Sequence, residues 1–314
     1  METDHPLLQE IQAVKQEILR IIRGKETTVE LLLNAVLAGG SVLMDDVPGV
    51  GKTTLAKALA VALNVDFKRI QFTPDLLPAD VSGGSIYNPK TGEFVLHKGP
   101  IFTNVVLADE INRASPRTQS ALLEAMNEKQ ITLEGTVYPL PDPFFVIATE
   151  NPVEYFGTYP LPEAQLDRFY MKLTLGYPDE NAELDMLHDR LNGDPAQGIK
   201  PILRPDGLLA IRKEINQVEV QEDVSKYILE IIRRTREEER IQLGASPRAF
   251  LILTQCARTR AWMQGRSFVT PDDVKFLAVH VLAHRIILNS QNGIVNINAE
   301  SVIREILHSV RVPA

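Results

Sequence analysis

Along residues 7–22 (LLQEIQAVKQEILRII) apolar side chains recur every three to four positions, and they do so again over 28–38, with Gly24 and Gly39-Gly40 as punctuation. That spacing gathers one apolar stripe per helix and predicts two helices at the amino end. The pattern then changes. Ser41-Val42-Leu43-Met44 is a continuous apolar run that meets a glycine-containing turn, and 54–63 is rich in helix formers, so the order becomes strand, loop, helix. Short apolar runs follow at 67–72, 105–108 and 144–148, with helical stretches such as 117–127 between some of them. Runs that are apolar throughout predict strands of a parallel sheet covered by helices on both faces.

Two segments interrupt the alternation. Residues 85–95 (SIYNPKTGEFV) place Asn88-Pro89-Lys90-Thr91-Gly92 between strand-like pieces, and 131–138 (ITLEGTVY) turn at Glu134-Gly135 between β-branched residues. Each reads as a hairpin. After Pro178 the strand pattern fades and helical segments dominate, at 180–191, 224–239, 246–263, 271–288 and 299–310. Thr270-Pro271-Asp272-Asp273 supplies a cap, a first-turn proline and acids at the positive end of the helix dipole. The expected architecture is an α/β domain over 1–180 followed by a smaller all-α domain over 181–314, with the linker near 178–182. A length of 314 residues agrees, at roughly 150 residues per domain.

A hydrophobic content of 44% and a charged content of 24% exclude collagen, wholesale disorder and a disulfide scaffold. The formal charge of -8, from 33 Lys+Arg against 41 Asp+Glu, argues against bulk electrostatic binding to nucleic acid or anionic lipid. Small phosphorylated ligands remain open, because they need only a few placed donors. The lone Cys256 has no intrachain disulfide partner, residues 1–10 are mixed polar, and the most apolar stretch, 31–44, is too short and too interrupted to span a bilayer. The expectation is a cytoplasmic chain with no membrane insertion.

The chemistry concentrates in the turn after the first strand, Asp46-Val47-Pro48-Gly49-Val50-Gly51-Lys52-Thr53-Thr54. Glycines let backbone N–H groups approach phosphates, the helix N-terminus adds a positive field, Lys52 can reach the β- and γ-phosphates, and the Thr53 hydroxyl can hold Mg²⁺. Such a GxGK[ST] string arises by chance in a chain this long about one time in a hundred. One position departs from G-x-x-x-x-G-K-[ST]: the first glycine is Asp46. Aspartate tolerates left-handed backbone better than most residues, and either its side chain points to solvent or its charge mildly repels a triphosphate. A second signal is Val105-Val106-Leu107-Ala108 running into Asp109-Glu110. An acid at the carboxyl end of a parallel strand can hold Mg²⁺, and the next can deprotonate an attacking water. Together the two signals point to nucleoside triphosphate hydrolysis.

The residues 109–114 (DEINRA), 119–126 (QSALLEAM), 144–152 (FFVIATENP), 157–169 (GTYPLPEAQLDRF), 85–110 and 245–249 (ASPRA) resemble the MoxR family of AAA+ ATPases nearly end to end. The departure is Asp45-Asp46, where that family typically has Glu-Gly. The resemblance implies an AAA+ P-loop NTPase domain, a parallel sheet flanked by helices, followed by a helical lid. It implies ATP and Mg²⁺ as ligands, with Thr53 and Asp109 on the metal and Glu110 on the water. Asn151 matches sensor 1, Arg168 the arginine finger given to a neighbouring subunit, and Arg248 sensor 2, acting on either its own or a neighbour's nucleotide. Ile22, Arg23 and Gly24 correspond to the adenine pocket. Segments 85–95 and 131–138 match inserts that face a ring's pore or top and would contact a client.

The function so implied is a hexameric ring that remodels or matures protein complexes with a separate von Willebrand factor A domain partner. A nucleic-acid motor, a magnesium chelatase-like subunit and a weakly hydrolysing nucleotide-gated scaffold stand as alternatives. Neither hairpin carries the dense Lys/Arg with aromatics that strand tracking needs, so no nucleic acid is expected. His280 and His284 have zinc-like spacing but no evident third ligand, and read as a helix-face pair. Trp262 and Met263 read as core, and the charge run 233–240 as a solvated helix face.

Overall fold

In a computed structural model of the chain the described residues are 5–151, 157–178, 180, 183–184, 198–204, 206–289 and 298–313. Among the described residues nine strands lie in the first part: β1 (Val42–Asp45), β2 (Phe67–Gln71), β3 (Gly83–Asn88), β4 (Glu93–Lys98), β5 (Val105–Asp109), β6 (Gln130–Leu133), β7 (Thr136–Pro139), β8 (Phe145–Glu150) and β9 (Met171–Leu173). Five of them form one sheet in the order β2-β5-β8-β1-β9, and every pairing in it is parallel. Because strand side chains alternate between faces, each apolar run feeds two cores. Val42 and Met44, Val105 and Leu107, Phe145 and Ile147 enter one. Leu43, Val106, Ala108, Val146 and Ala148 enter the other.

The first core also takes the buried sides of the amino-terminal helices Pro6–Ile21 and Glu26–Leu37 and of the Lys52–Ala62 helix. It continues without a break into the helical part, through Gly207–Ile215, Glu222–Glu237, Pro247–Met263, Pro271–Leu282 and Ala299–Ser309. The lid is therefore seated on one face of the sheet through the amino-terminal helices, with Asn34 Nδ2 donating to the Cys256 carbonyl at 3.0 Å. The second core packs the Pro116–Glu128 helix, the short Pro78–Ser82 helix and Phe169 against the opposite face.

Both expected hairpins form, β3 pairing antiparallel with β4 and β6 with β7. The expected helix over 180–191 lies largely outside the described residues. One expectation is corrected: the segment 271–288 is not a single helix. It ends at Leu282, passes through a 3₁₀ turn at Ala283–Arg285, and then forms β11 (Ile287–Leu288) against β10 (Ile241–Leu243). The chain leaves the helix there because His284 and Arg285 turn inward to bind the segment before β9. Among the described residues no helix is long and apolar enough to cross a membrane.

Candidate nucleotide site

The phosphate loop leaves β1 at the carboxyl edge of the sheet and enters the Lys52–Ala62 helix. Gly49 and Gly51 hold φ of 89° and 98°, the left-handed region where a side chain is strained, so glycine is required at both. Gly51 caps the helix without a side-chain bond, which leaves first-turn N–H groups open for an anion. Thr53 and Thr54 stand in that first turn. Lys52 Nζ curls back onto the loop, donating to the Asp46 carbonyl at 2.6 Å and the Val47 carbonyl at 3.3 Å. Burial pushes its ammonium below the usual lysine value, against the pull of Asp46, Asp109, Glu110 and Asp45. Phosphate oxygens offer Lys52 stronger, charge-assisted acceptors than the two carbonyls it holds here.

Asp46 departs from the solvent-facing expectation. It is 4% exposed, so it does not point to solvent, and it is not among the residues with left-handed backbone. Its carboxylate turns away to the exit of β9, accepting from the Leu175 N–H at 2.6 Å and the Gly176 N–H at 2.8 Å. Asp45 likewise faces β9, pairing with Lys172 at 2.6 Å. The side chain of Asp46 is thus a brace between loop and sheet. Asp46→Gly, which restores the usual glycine, is expected to destabilise the fold by about 1–3 kcal/mol, because two N–H groups at β9 lose their acceptor. Denaturant midpoints of the two proteins check this; an unchanged midpoint removes the bracing role.

Asp109 and Glu110 lie where the sequence puts them, at the carboxyl end of β5. Thr149 Oγ1 donates to Asp109 Oδ1 at 2.7 Å and accepts from the Glu110 N–H at 2.9 Å, so one hydroxyl sets both acids. Arg69, reaching from β2, donates through Nε and Nη2 to Asp109 Oδ2 at 3.0 and 2.6 Å. Glu110 Oε2 accepts from Gln71 Nε2 at 2.7 Å and Arg113 Nη1 at 2.9 Å. Glu110 itself holds φ 56°, ψ 50°. The Thr53 hydroxyl and the Asp109 carboxylate are hard oxygen donors of the kind Mg²⁺ selects, at the edge where Lys52 would meet the phosphates, so the residues present fit that ion. Asn151, 5% exposed, directly follows β8 between β5 and β1. Ile22 lies beside the loop: a Cβ built on Gly51 would be 3.8 Å from Ile22 Cδ1. Arg23 follows it in the chain, before the Gly24 turn.

Arg168 and Arg248 are elsewhere. Both line a cleft of about 840 Å³ between the lid and the amino edge of the sheet, with Gly39, Gly40, Ser41 and Tyr170 from the starts of β1 and β9. Among the described residues its cations are Lys129, Arg168, Arg212, Arg248 and Arg258, and its one lining carboxylate is Glu128. Arg168 Nη1 donates to the Leu123 carbonyl at 3.0 Å. Burial pushes the Lys129 ammonium down to about 8. No residue of 46–54, and neither Asp109 nor Glu110, lines this cleft. Ser41 and Asp46 are separated by five residue steps, roughly 16 Å of extended chain. The two arginines therefore stand apart from the phosphate loop of their own chain.

Sequence reading missed Thr149, Arg69, Gln71, Lys172 and the cleft cations other than Arg168 and Arg248. Thr149 lies within the segment 144–152, where a hydroxyl after four apolar strand residues was the available signal. The rest act through partners distant in sequence. His284, expected on a helix face, sits in the 3₁₀ turn with Nε2 at 3.2 Å from the Phe169 carbonyl.

A parallel sheet with a phosphate loop after its first strand, an acid pair after β5 and a helical lid define an ATPase of the AAA class. A family model described as the ATPase family associated with various cellular activities (AAA) matches residues 41–171, and an AAA lid domain model matches 233–306. The chain belongs to the MoxR family within that class. It is 40% identical over 306 residues to Chaperone MoxR1 of Mycobacterium tuberculosis, a match covering 95% of this chain and 81% of that one. Protein MoxR of Methylorubrum extorquens is 31% identical over 301 residues, covering 87% and 86%. The uncharacterized protein YeaC of Bacillus subtilis is 50% identical over 309 residues, covering 98% and 96%. A crystal structure from Cytophaga hutchinsonii, of a protein described as a candidate ATPase, superposes with a TM-score of 0.91 at 42% identity, covering 98% of this chain and 96% of that one.

Proposed function

We propose that the chain hydrolyses ATP at a site completed by a second copy of itself, in a hexameric ring that remodels or matures protein complexes. The observation that carries the proposal is the separation just described: the phosphate loop at one edge of the sheet, Arg168 and Arg248 together in a basic cleft at the other. A cleft with five cations and one carboxylate suits a polyphosphate, and a neighbour's phosphate loop would bring one. On this reading both arginines act in trans.

The nucleotide-binding part runs to about residue 180 and the lid from 181. Backbone N–H groups of 49–54 and Lys52 bind the phosphates, and Ile22 and Arg23 flank the adenine. Thr53 and Asp109 would hold Mg²⁺, which when bound would offset phosphate charge. Glu110 takes the proton of the attacking water, Asn151 orients that water or the γ-phosphate, and Arg168 of the adjoining copy meets the charge that develops in transfer. Kinship with a protein named a chaperone supports a protein client, and a von Willebrand factor A domain on a separate chain would be the partner. The β3–β4 hairpin supports client contact too: Ile86, Tyr87 and Phe94 are 57%, 53% and 71% exposed. An insert of that character suits apolar protein segments better than a phosphate backbone.

Turnover per subunit is expected to fall steeply on dilution once assemblies dissociate, measured as phosphate release beside light scattering. A rate per subunit that stays constant through dissociation sinks the shared-site reading.

A further inference from the structure

Asp167, next in sequence to Arg168, has no place in the chemistry described so far, yet its carboxylate joins two distant segments. Ser246 Oγ donates to Asp167 Oδ1 and Oδ2 at 3.1 and 3.0 Å, and Arg285 Nε donates to Oδ1 at 3.0 Å. Ser246 is the N-cap of the Pro247–Met263 helix, accepting from the Ala249 N–H at 3.3 Å, and stands two residues before Arg248. One carboxylate therefore ties the start of the Arg248 helix to the residue beside Arg168.

Arg285 completes the joint from below. Its side chain is 1% exposed. Beyond the Asp167 carboxylate it donates to the backbone carbonyls of Asp167 at 3.2 Å, Tyr170 at 3.3 Å, and Phe169. Its one other carbonyl acceptor is Val281, at the end of the Pro271–Leu282 helix. The backbone on both sides of Arg168 is thus gripped by a lid residue, while Arg168 Nη1 donates to the Leu123 carbonyl on the Pro116–Glu128 helix. A buried ion pair is weak evidence for stability, since apolar replacements often serve as well. What a buried guanidinium that ties the tetrapeptide 167–170 to the end of the Pro271–Leu282 helix supplies is geometry.

We propose that Asp167 is a positioning residue that yokes the finger segment to the lid, so that Arg168 and Arg248 enter a neighbour's nucleotide site as one rigid unit. The proposal rests on the shared-site reading above. It adds that the joint holds the spacing between the two arginines fixed, so that a lid displacement that breaks the Asp167 contacts unseats both together.

The test compares Asp167→Ala, Asp167→Asn, Arg168→Ala and the Asp167→Ala/Arg168→Ala double variant in the full-length assembled protein, by steady-state ATPase and hydrogen exchange. Asp167→Ala is expected to lower kcat roughly ten- to a hundredfold, the scale of a misplaced catalytic group, with KM for ATP held within about twofold because its own phosphate loop is untouched. In the Arg168→Ala background the same substitution should cost clearly less, because only Arg248 is then left to be misplaced. Asp167→Asn should recover most of the rate, since its amide oxygen can accept from Arg285 and its amide N–H can donate to Ser246. Exchange should rise together in 163–170 and 246–250 in Asp167→Ala. Wild-type kcat in Asp167→Ala, or an equal loss with and without Arg168, overturns the proposal. If Arg168→Ala leaves kcat intact, the shared-site reading fails by itself, and the exchange measurement decides the yoke: unchanged protection of both segments in Asp167→Ala overturns it. Should Asp167→Ala not fold, Ser246→Gly keeps an acceptable cap residue and deletes the bridging hydroxyl. The same fall in kcat and joint loss of protection support the yoke there, and wild-type values of both overturn it.

Discussion

Arg168→Ala is expected to lower ATP turnover by roughly 10³-fold or more, the range of an arginine supplied across an interface, or about 4 kcal/mol of transition-state stabilisation. ATP affinity should change far less, because the groups proposed to bind the phosphates come from 49–54, at the other edge of the sheet. Magnitude alone does not separate a finger acting across an interface from an arginine acting within its own chain. Subunit mixing does. Lys52→Ala removes the ammonium that reaches for the phosphates but leaves the basic cleft whole, and Arg168→Ala does the reverse. If the site is shared, mixed assemblies bring an intact cleft against an intact phosphate loop at some of their interfaces, so mixing two nearly inactive proteins restores a measurable fraction of wild-type turnover. No recovery in assemblies proven mixed by mass would place Arg168 in the service of its own subunit, against the separation of the two edges.

How far this arrangement could be read from sequence depends on the distance over which each residue acts. The sheet was legible because its strands are buried on both faces and so announce themselves as short apolar runs. The placement of Gly49, Gly51, Lys52, Asp109 and Glu110 was legible because it is local: a loop, a helix start, a strand end. Asp46 was not. Its role is fixed by the Leu175 and Gly176 N–H groups, 129 and 130 positions away, and a residue read without its partner could only be judged by what a phosphate would feel. β9 went unseen because three residues, Met171–Leu173, carry too little periodicity, with the solvent-side Lys172 at the centre. The break after Leu282 followed the same logic, since what draws Arg285 inward is a carboxylate 118 positions earlier. The grouping of Arg168 with Arg248 was likewise invisible, and it is the fact that favours action in trans.

Glu110→Gln is expected to slow hydrolysis by about 10²- to 10⁴-fold, the usual contribution of a positioned base, while ATP binding survives. The case rests on how the side chain is held. Its N–H is fixed by Thr149, its backbone is turned into the left-handed region, and its carboxylate is clasped by Gln71 and Arg113. A glutamine has the same shape and can still accept from both through its amide oxygen, so the substitution removes basicity with little change of geometry. Single-turnover hydrolysis checks the chemical step, and fluorescent-nucleotide titration checks binding. The pair of results matters more than either one. Slow chemistry with unchanged binding assigns Glu110 to the water. Lost binding in parallel would instead make it part of the phosphate or metal cradle, and unchanged chemistry would leave the acid pair without a base. A slow variant that holds ATP should also hold whatever the exposed β3–β4 hairpin engages, since release would wait on hydrolysis. A client retained by Glu110→Gln in ATP, and lost when Tyr87 and Phe94 are both changed to Ser, would join the nucleotide site to its work on a protein; retention despite those changes would move the client to another surface.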